Sequence, residues 1–397
     1  MAAASADAPL VILGAGYAGL TLAHEVDRRS RGSIPIVLVD RHPVHELRTE
    51  LYQVGRLATA GPAAAPFTVP LDRVFERTRV EARSGTVEGI DLSARTVTLD
   101  SGPIAYRELA ICLGSVAAYY GVPGAAEHTF QVYALAEAQR LAAAIVRVER
   151  ASAGLAGERR PRCVVVGGGS TGTELAAEIA STDWTRVAGA GARPPDVVQL
   201  TGSLPFLAGL PPSVIARSRA ILRRAGVALI HGYNVTRVDP GHVATEDGSV
   251  LAADLVIWCA GLEAPAVVRA LPVPHGKGGR LRVEPTLQLP GHPEVVAVGD
   301  VAEWQDPETG AFVPGTAQAA LAEARSAAAN LVAIRRGRPT VPFRYRERGV
   351  VVALGVGEAA GAVSHLTIWG SPAAMLKRVV QRDYARSVER GESPAIL

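Results

Sequence analysis

Cysteine is scarce: three residues in a chain of 397, Cys112, Cys163 and Cys259, far apart and never in a C-x-x-C pair. That excludes a disulfide framework and a local redox dithiol. Each lies in a run of Val, Ile, Leu or Ala, where a thiol is expected as a small buried apolar side chain in a reducing compartment. A charge surplus is missing too, with 41 basic against 38 acidic residues and a net charge of +3, so there is no nucleic-acid footprint. No stretch reaches the roughly 18–20 apolar residues of a membrane span. The short apolar run near the N-terminus has no basic segment ahead of it and leads into a glycine turn, which reads as a first strand and not a signal peptide. These features place the protein in the cytoplasm, with attachment to the inner face of the cell membrane left open. Metal-site spacing is absent, His42 and His45 in "DRHPVHEL" reading as loop residues near a ligand, and so is any G-x-S-x-G elbow.

Glycine, by contrast, is placed with purpose. "PLVILGAGYAGLTLAHEV" gives an apolar strand, then Gly14, Gly16 and Gly19 in G-x-G-x-x-G spacing, then a helix. The next strand, "IPIVLVD", ends in Asp40, 21 residues past Gly19. Gly14 makes the tight turn, Gly16 admits phosphates to the backbone and Gly19 lets helix and strand pack closely. The helix N-terminus then offers free N–H groups to a pyrophosphate, and Asp40 can accept the ribose hydroxyls. "RCVVVGGGSTGTELAAEIA" repeats the device with Gly167, Gly169 and Gly172. Residues 80–110 read as an antiparallel meander, 134–150 and 317–335 as helices, 154–161 as a break, and 341–369 as strands before a last helix.

In this order the motifs "GAGYAG", "GGGSTG", "CLGS", "CAGLEAP" and "VVAVGDVAEW" resemble the two-dinucleotide-binding flavoproteins of the pyridine nucleotide-disulfide oxidoreductase fold. The resemblance spans about residues 9–385 and implies an α/β protein with two Rossmann-like domains, the NAD(P) domain inserted in the FAD domain. The expected division is an FAD unit at 1–115 and 270–340, an NAD(P)H unit at 116–269 and a C-terminal α+β segment at 341–397. It further implies FAD at Gly14, Gly16, Gly19, Asp40, Gly114, Gly299 and Asp300, and NADH or NADPH at Gly167, Gly169, Gly172 and Gly261. Within the superfamily, "ELYQVGRLATAG", "GGGSTGTELAAEIA" and "GTAQAALAEA" are similar to the type II NADH:quinone oxidoreductases. That similarity puts Glu174 near flavin and quinone, Ala317 and Gln318 on the quinone-side helix, and Lys377 as the basic residue near the C-terminus. Ala322 stands where that family usually has a second glutamine.

Quinone reduction consumes protons as well as electrons, so a relaying carboxylate is chemically reasonable. Glu174 is expected at the start of the helix behind the second cradle, and Glu178 on the same face, in contact with solvent or with function. Gln318 has both a donor and an acceptor for a carbonyl or a flavin edge, or else meets water. The second strand of the NAD(P)H unit ends in Thr201 where related enzymes usually have Glu, which leaves NADPH open alongside NADH, with Arg193 as one candidate for its phosphate. The last helix carries Leu376, Val380, Tyr384 and Val388 at four-residue intervals among basic residues. Such a stripe docks on an anionic bilayer, on the protein itself or on a second copy. The expected function is hydride transfer from NAD(P)H to FAD, with electrons passing to a quinone or similar aromatic acceptor. The alternatives are a biosynthetic flavoenzyme using oxygen and a redox sensor without turnover.

Overall fold

Apolar runs such as "LVIL" and "CVVV" are buried along their whole length, as strands of a parallel sheet covered on both faces must be. The computed structural model describes residues 8–60, 65–153, 160–364 and 366–394. The first residues of the chain and most of the break expected at 154–161 lie outside them. A six-stranded sheet runs in the order Gln288–Leu289, His292–Ala297, Glu108–Ile111, Leu10–Leu13, Ile36–Asp40, Val80–Ser84. All its pairings are parallel except that of its first two strands. A second sheet, fully parallel, runs Ala228–His231, Asp196–Thr201, Arg162–Val166, Leu255–Trp258.

The two sheets are built on one plan. In each, a strand leads into a glycine turn and a helix, Tyr17–Ser30 in the first and Ser170–Ser181 in the second. A neighbouring strand follows, and later a three-stranded antiparallel meander, 87–105 or 235–252, precedes the return strand. Val80–Ser84 is not part of the first meander, where the alternating pattern had placed it. It pairs in parallel with Ile36–Asp40, because its polar face is free to meet solvent at the sheet edge.

The helix Ala317–Arg335 packs along Tyr17–Ser30 through Ala320, Ala324, Ala327 and Ala328, all buried, whose small side chains allow close approach. The C-terminal segment adds an antiparallel sheet of Gly349–Ala353, Ala359–Val363 and Leu366–Trp369, against which the helix Ser371–Glu389 lies. Among the described residues no helix is long and apolar enough to cross a membrane.

Candidate functional site

The glycine turns form two cradles of the same construction. Gly14 has φ 99° and Gly167 φ 127°, backbone that favours glycine. An ideal Cβ on Gly14 would stand 2.4 Å from the Cys112 carbonyl oxygen, and one on Gly167 2.2 Å from that of Cys259. A Cβ on Gly19 would meet the Gly14 carbonyl oxygen at 1.9 Å, and one on Gly172 the Gly167 oxygen at 2.6 Å. At Gly16 and Gly169 it would meet nothing within 4 Å. Both turns therefore close tightly inward while their middle glycine stands open, the shape a pyrophosphate requires. Burial alone pushes the Cys259 thiol up to about 12, and all three cysteines are buried free thiols.

Around the first cradle, Asp40 Oδ2 accepts from the Ala15 N–H at 2.7 Å and Oδ1 from the His42 N–H at 2.9 Å. These bonds fix the carboxylate and leave a lone pair on each oxygen for a ribose. Asp300 Oδ2 accepts from the Ser115 hydroxyl at 3.0 Å, next to Gly114 and Gly299, both at positive φ. Under the second cradle, the buried Gln199 amide donates to the Gly167 carbonyl at 2.9 Å and to Thr173 Oγ1 at 3.0 Å. This brace was readable only as a lone polar residue inside "DVVQLT".

The stretches that leave the two cysteines cross each other. Val116–Ala117 pairs antiparallel with Leu262–Glu263, and the Ala118 N–H donates to the Gly261 carbonyl at 3.0 Å. Each cradle is thus only a few residues from the same crossing. Tyr133 sits there: burial, then Cys259, Tyr120 and Asp300 around it, hold its phenol well above the ordinary range. One side chain senses groups of both units.

Glu174, Gln318 and Lys377 converge on one edge. The helix behind the second cradle starts at Ser170, so Glu174 lies a turn inside it and not at its first residue. Its Oε1 accepts from the Ala353 N–H at 3.0 Å and forms an ion pair with Lys377, 203 positions away. Lys377 Nζ also donates to the Val351 carbonyl at 3.1 Å. The Gln318 amide donates to the Gly349 carbonyl at 3.4 Å and accepts from the Arg348 N–H at 2.9 Å, so it meets protein. Residues 349, 351 and 353 present their backbone groups to one side of a strand. That side is the unpaired edge of the C-terminal sheet, and the three side chains stand where a fourth strand would. Ala317 begins the helix beneath, capped by Thr316 Oγ1 accepting from the Ala319 N–H.

Beside the ion pair opens a groove of about 610 Å³ lined by Tyr52, Glu178, Lys377, Arg378, Arg382 and Arg386 among others. Glu178 faces it without an ion-pair partner among the described residues, and burial pushes its carboxyl up to about 7. The two carboxylates one turn apart therefore differ, Glu174 being paired with a cation and Glu178 a group that exchanges its proton near neutrality.

His45, expected in a loop, is instead fully buried in the short strand Val44–Glu46. Its Nδ1 bonds the Ala15 carbonyl at 2.8 Å and its Nε2 the Tyr384 hydroxyl at 3.0 Å, while Tyr17 stacks on Tyr384 at 4.7 Å. Because an Nδ1–H is needed to donate to a carbonyl, Nε2 accepts from Tyr384. The C-terminal helix is thereby pinned to the first cradle. This also corrects the expected stripe: Tyr384 and Val388 dock on the protein, Leu376 is half-buried, and the large apolar side chains left exposed are Met375, Val379 and Val380.

Burial lowers the His45 imidazole from 6.5 to about 4, so the folded ring is neutral. Below 6.5 the unfolded chain takes up this proton and the folded chain does not. The stability tied to His45 is therefore complete above 6.5 and is lost as pH falls through the window down to about 4. His45→Phe is expected to flatten that decline in urea titrations across the window, His24, lowered by burial in the same way, retaining its own share. An unchanged slope would remove His45 from the account.

The family profile described as pyridine nucleotide-disulphide oxidoreductase matches residues 8–324. A demethylphylloquinone reductase from Synechocystis is 29% identical over 389 residues, covering 94% of this chain and 90% of its own. A type II NADH:quinone oxidoreductase from Staphylococcus saprophyticus is 24% identical over 383 residues, covering 94% and 93%. The structure of NDH2 from Plasmodium falciparum in complex with NADH superposes with a TM-score of 0.82 at 14% identity, covering 97% of this chain and 96% of that one. With both cradles, their crossing and the match over most of its length in agreement, the chain belongs to the pyridine nucleotide-disulphide oxidoreductase family.

Proposed function

We propose that this protein is an NAD(P)H dehydrogenase of the type II NADH:quinone oxidoreductase kind, passing electrons through FAD to a quinone. The observation that carries it is the pair of cradles of equal construction opening on one crossing, since two redox rings exchange a hydride only when stacked at about 3–3.5 Å. The FAD unit comprises 1–115 and 270–340, and the NAD(P)H unit 116–269. Gly14, Gly16 and Gly19 would hold the FAD pyrophosphate, Asp40 its ribose, and Asp300, steadied by Ser115, its ribityl chain. Gly167, Gly169, Gly172 and Gly261 would receive the nicotinamide dinucleotide. When bound, the flavin supplies the two-electron chemistry.

The chain supplies orientation and protons. Gln318 ties the helix Ala317–Arg335 to the strand Gly349–Ala353, and Lys377 holds Glu174 in place at that strand. Glu178, protonated for part of the population near neutrality and facing the groove, is the proton donor to an acceptor bound there. On the outer side of the last helix, Met375, 55% exposed, and Val379, 50% exposed, stand among Arg378, Arg382 and Arg386. Apolar and cationic groups on one surface suit an anionic bilayer, and the protein works at the inner face of the cell membrane.

Anaerobic mixing with NADH and with NADPH should bleach the bound flavin, and a menaquinone analogue should restore its colour faster than oxygen or a one-electron dye. The reoxidation rate should fall as pH rises through about 7, and Glu178→Gln should remove that inflection. A flavin that neither nucleotide bleaches would end this reading. Oxygen as the fastest acceptor would replace the quinone.

A further inference from the structure

The two units share one plan, so each residue of the first cradle has a counterpart in the second. The Gly14 N–H donates to the Val39 carbonyl at 2.7 Å, and the Gly167 N–H to that of Leu200 at 2.8 Å. The residue after Val39 is Asp40, and the one after Leu200 is Thr201. In the first unit the Ala15 N–H faces the Asp40 carboxylate. In the second, an ideal Cβ on Gly168 would stand 2.5 Å from the Thr201 methyl group. Thr201 therefore occupies the place where a dinucleotide's adenosine ribose is read, and it carries no charge.

The surroundings are cationic and rich in donors. The Thr201 hydroxyl is 2.8 Å from His231 Nδ1 and 3.2 Å from the Ile230 carbonyl, and the His231 ring is exposed. Phe206 Cα lies 3.5 Å from the same ideal Cβ on Gly168, and the Arg219 guanidinium covers the Phe206 ring at 5.3 Å. Arg219 makes no ion pair among the described residues. Arg193, a candidate from sequence, is exposed, and its backbone N–H donates to the buried Glu149 at 3.3 Å.

Resting on the reading of the protein as an NAD(P)H dehydrogenase, we propose that the donor site accepts NADPH, with Thr201, His231 and Arg219 framing the 2′-phosphate. A carboxylate at this position would repel a phosphate and bond a free 2′-hydroxyl. A threonine whose hydroxyl donates to the Ile230 carbonyl removes the repulsion, and the Arg219 guanidinium, without an ion pair among the described residues, supplies donors.

Two measurements on the flavin-loaded protein test this. By calorimetry, 2′,5′-ADP should bind at least about tenfold more tightly than 5′-AMP, and Arg219→Gln should remove most of that difference. In anaerobic flavin reduction, NADPH should be at least about one-tenth as efficient as NADH, and Thr201→Glu should lower the ratio of NADPH to NADH efficiency about 100-fold. Equal binding of the two nucleotides overturns the proposal, as does an NADPH efficiency already about 100-fold below that of NADH. If neither dinucleotide reduces the flavin, the dehydrogenase reading fails and the calorimetry still decides the phosphate site.

Discussion

Gly19→Ala is expected to give a folded but colourless protein, whereas Gly172→Ala stays yellow and loses its reaction with NAD(P)H. The added methyl at position 19 would lie 1.9 Å from the Gly14 carbonyl oxygen, and at position 172 it would lie 2.6 Å from that of Gly167. Neither contact is possible, so the helix must move away from the turn and the N–H groups at its start move with it. Overpacking of this kind costs about 1–3 kcal/mol. Spent on cradle geometry, that weakens dinucleotide affinity by about fivefold to over 100-fold. The deeper overlap at Gly19 falls at the upper end. The absorption spectrum of each purified variant, a flavin titration and anaerobic reduction by both nucleotides separate the outcomes. A Gly19→Ala protein that keeps its full complement of flavin would refute the assignment of the first cradle.

The second large effect is expected at Glu174 and Lys377. The side chains are only 11% and 16% exposed, so removing one partner strands a charge in a poorly solvated place. Breaking such a pair costs about 3–5 kcal/mol, while replacing both partners by apolar groups of similar volume costs far less. Lys377→Met and Glu174→Leu should each lower stability by several kcal/mol, and the double variant should recover most of it. Reoxidation of reduced flavin by a menaquinone analogue should remain slow in all three. Stability follows the pairing of the charges, and electron transfer follows the presence of the groups. A double variant that is both stable and fully active would reduce the pair to a fastening of the C-terminal sheet.

The parts of the fold set by neighbours in sequence were readable without coordinates. Glycine spacing, a strand ending in Asp40 and the apolar runs of parallel strands are local signals, and the α/β architecture with two cradles follows from them. The features that escaped depend on distant partners. His45 read as a loop residue because its partners, Ala15 and Tyr384, lie 30 and 339 positions away. Glu323 drew no notice in "GTAQAALAEA", yet it is buried, accepts from the Gly299 N–H at 2.6 Å, and is pushed up to about 8, first by burial. The stripe on the last helix divides for a geometric reason. Residues four apart advance about 40° around an α-helix at each step, so a row of four drifts by about 120°. Its two ends therefore face different neighbours. The approach of Lys377 to Glu174 had no local signature; family likeness singled out the two residues without pairing them.

The bonds from Asp40 through the N–H and the carbonyl of Ala15 to His45 and Tyr384 form a chain between the first glycine turn and the helix that carries Lys377. Thermodynamic reciprocity sets the terms of any traffic along that chain: if a ligand steadying the turn tightens the far helix, then whatever seizes the helix from outside strengthens the grip on that ligand by the same factor.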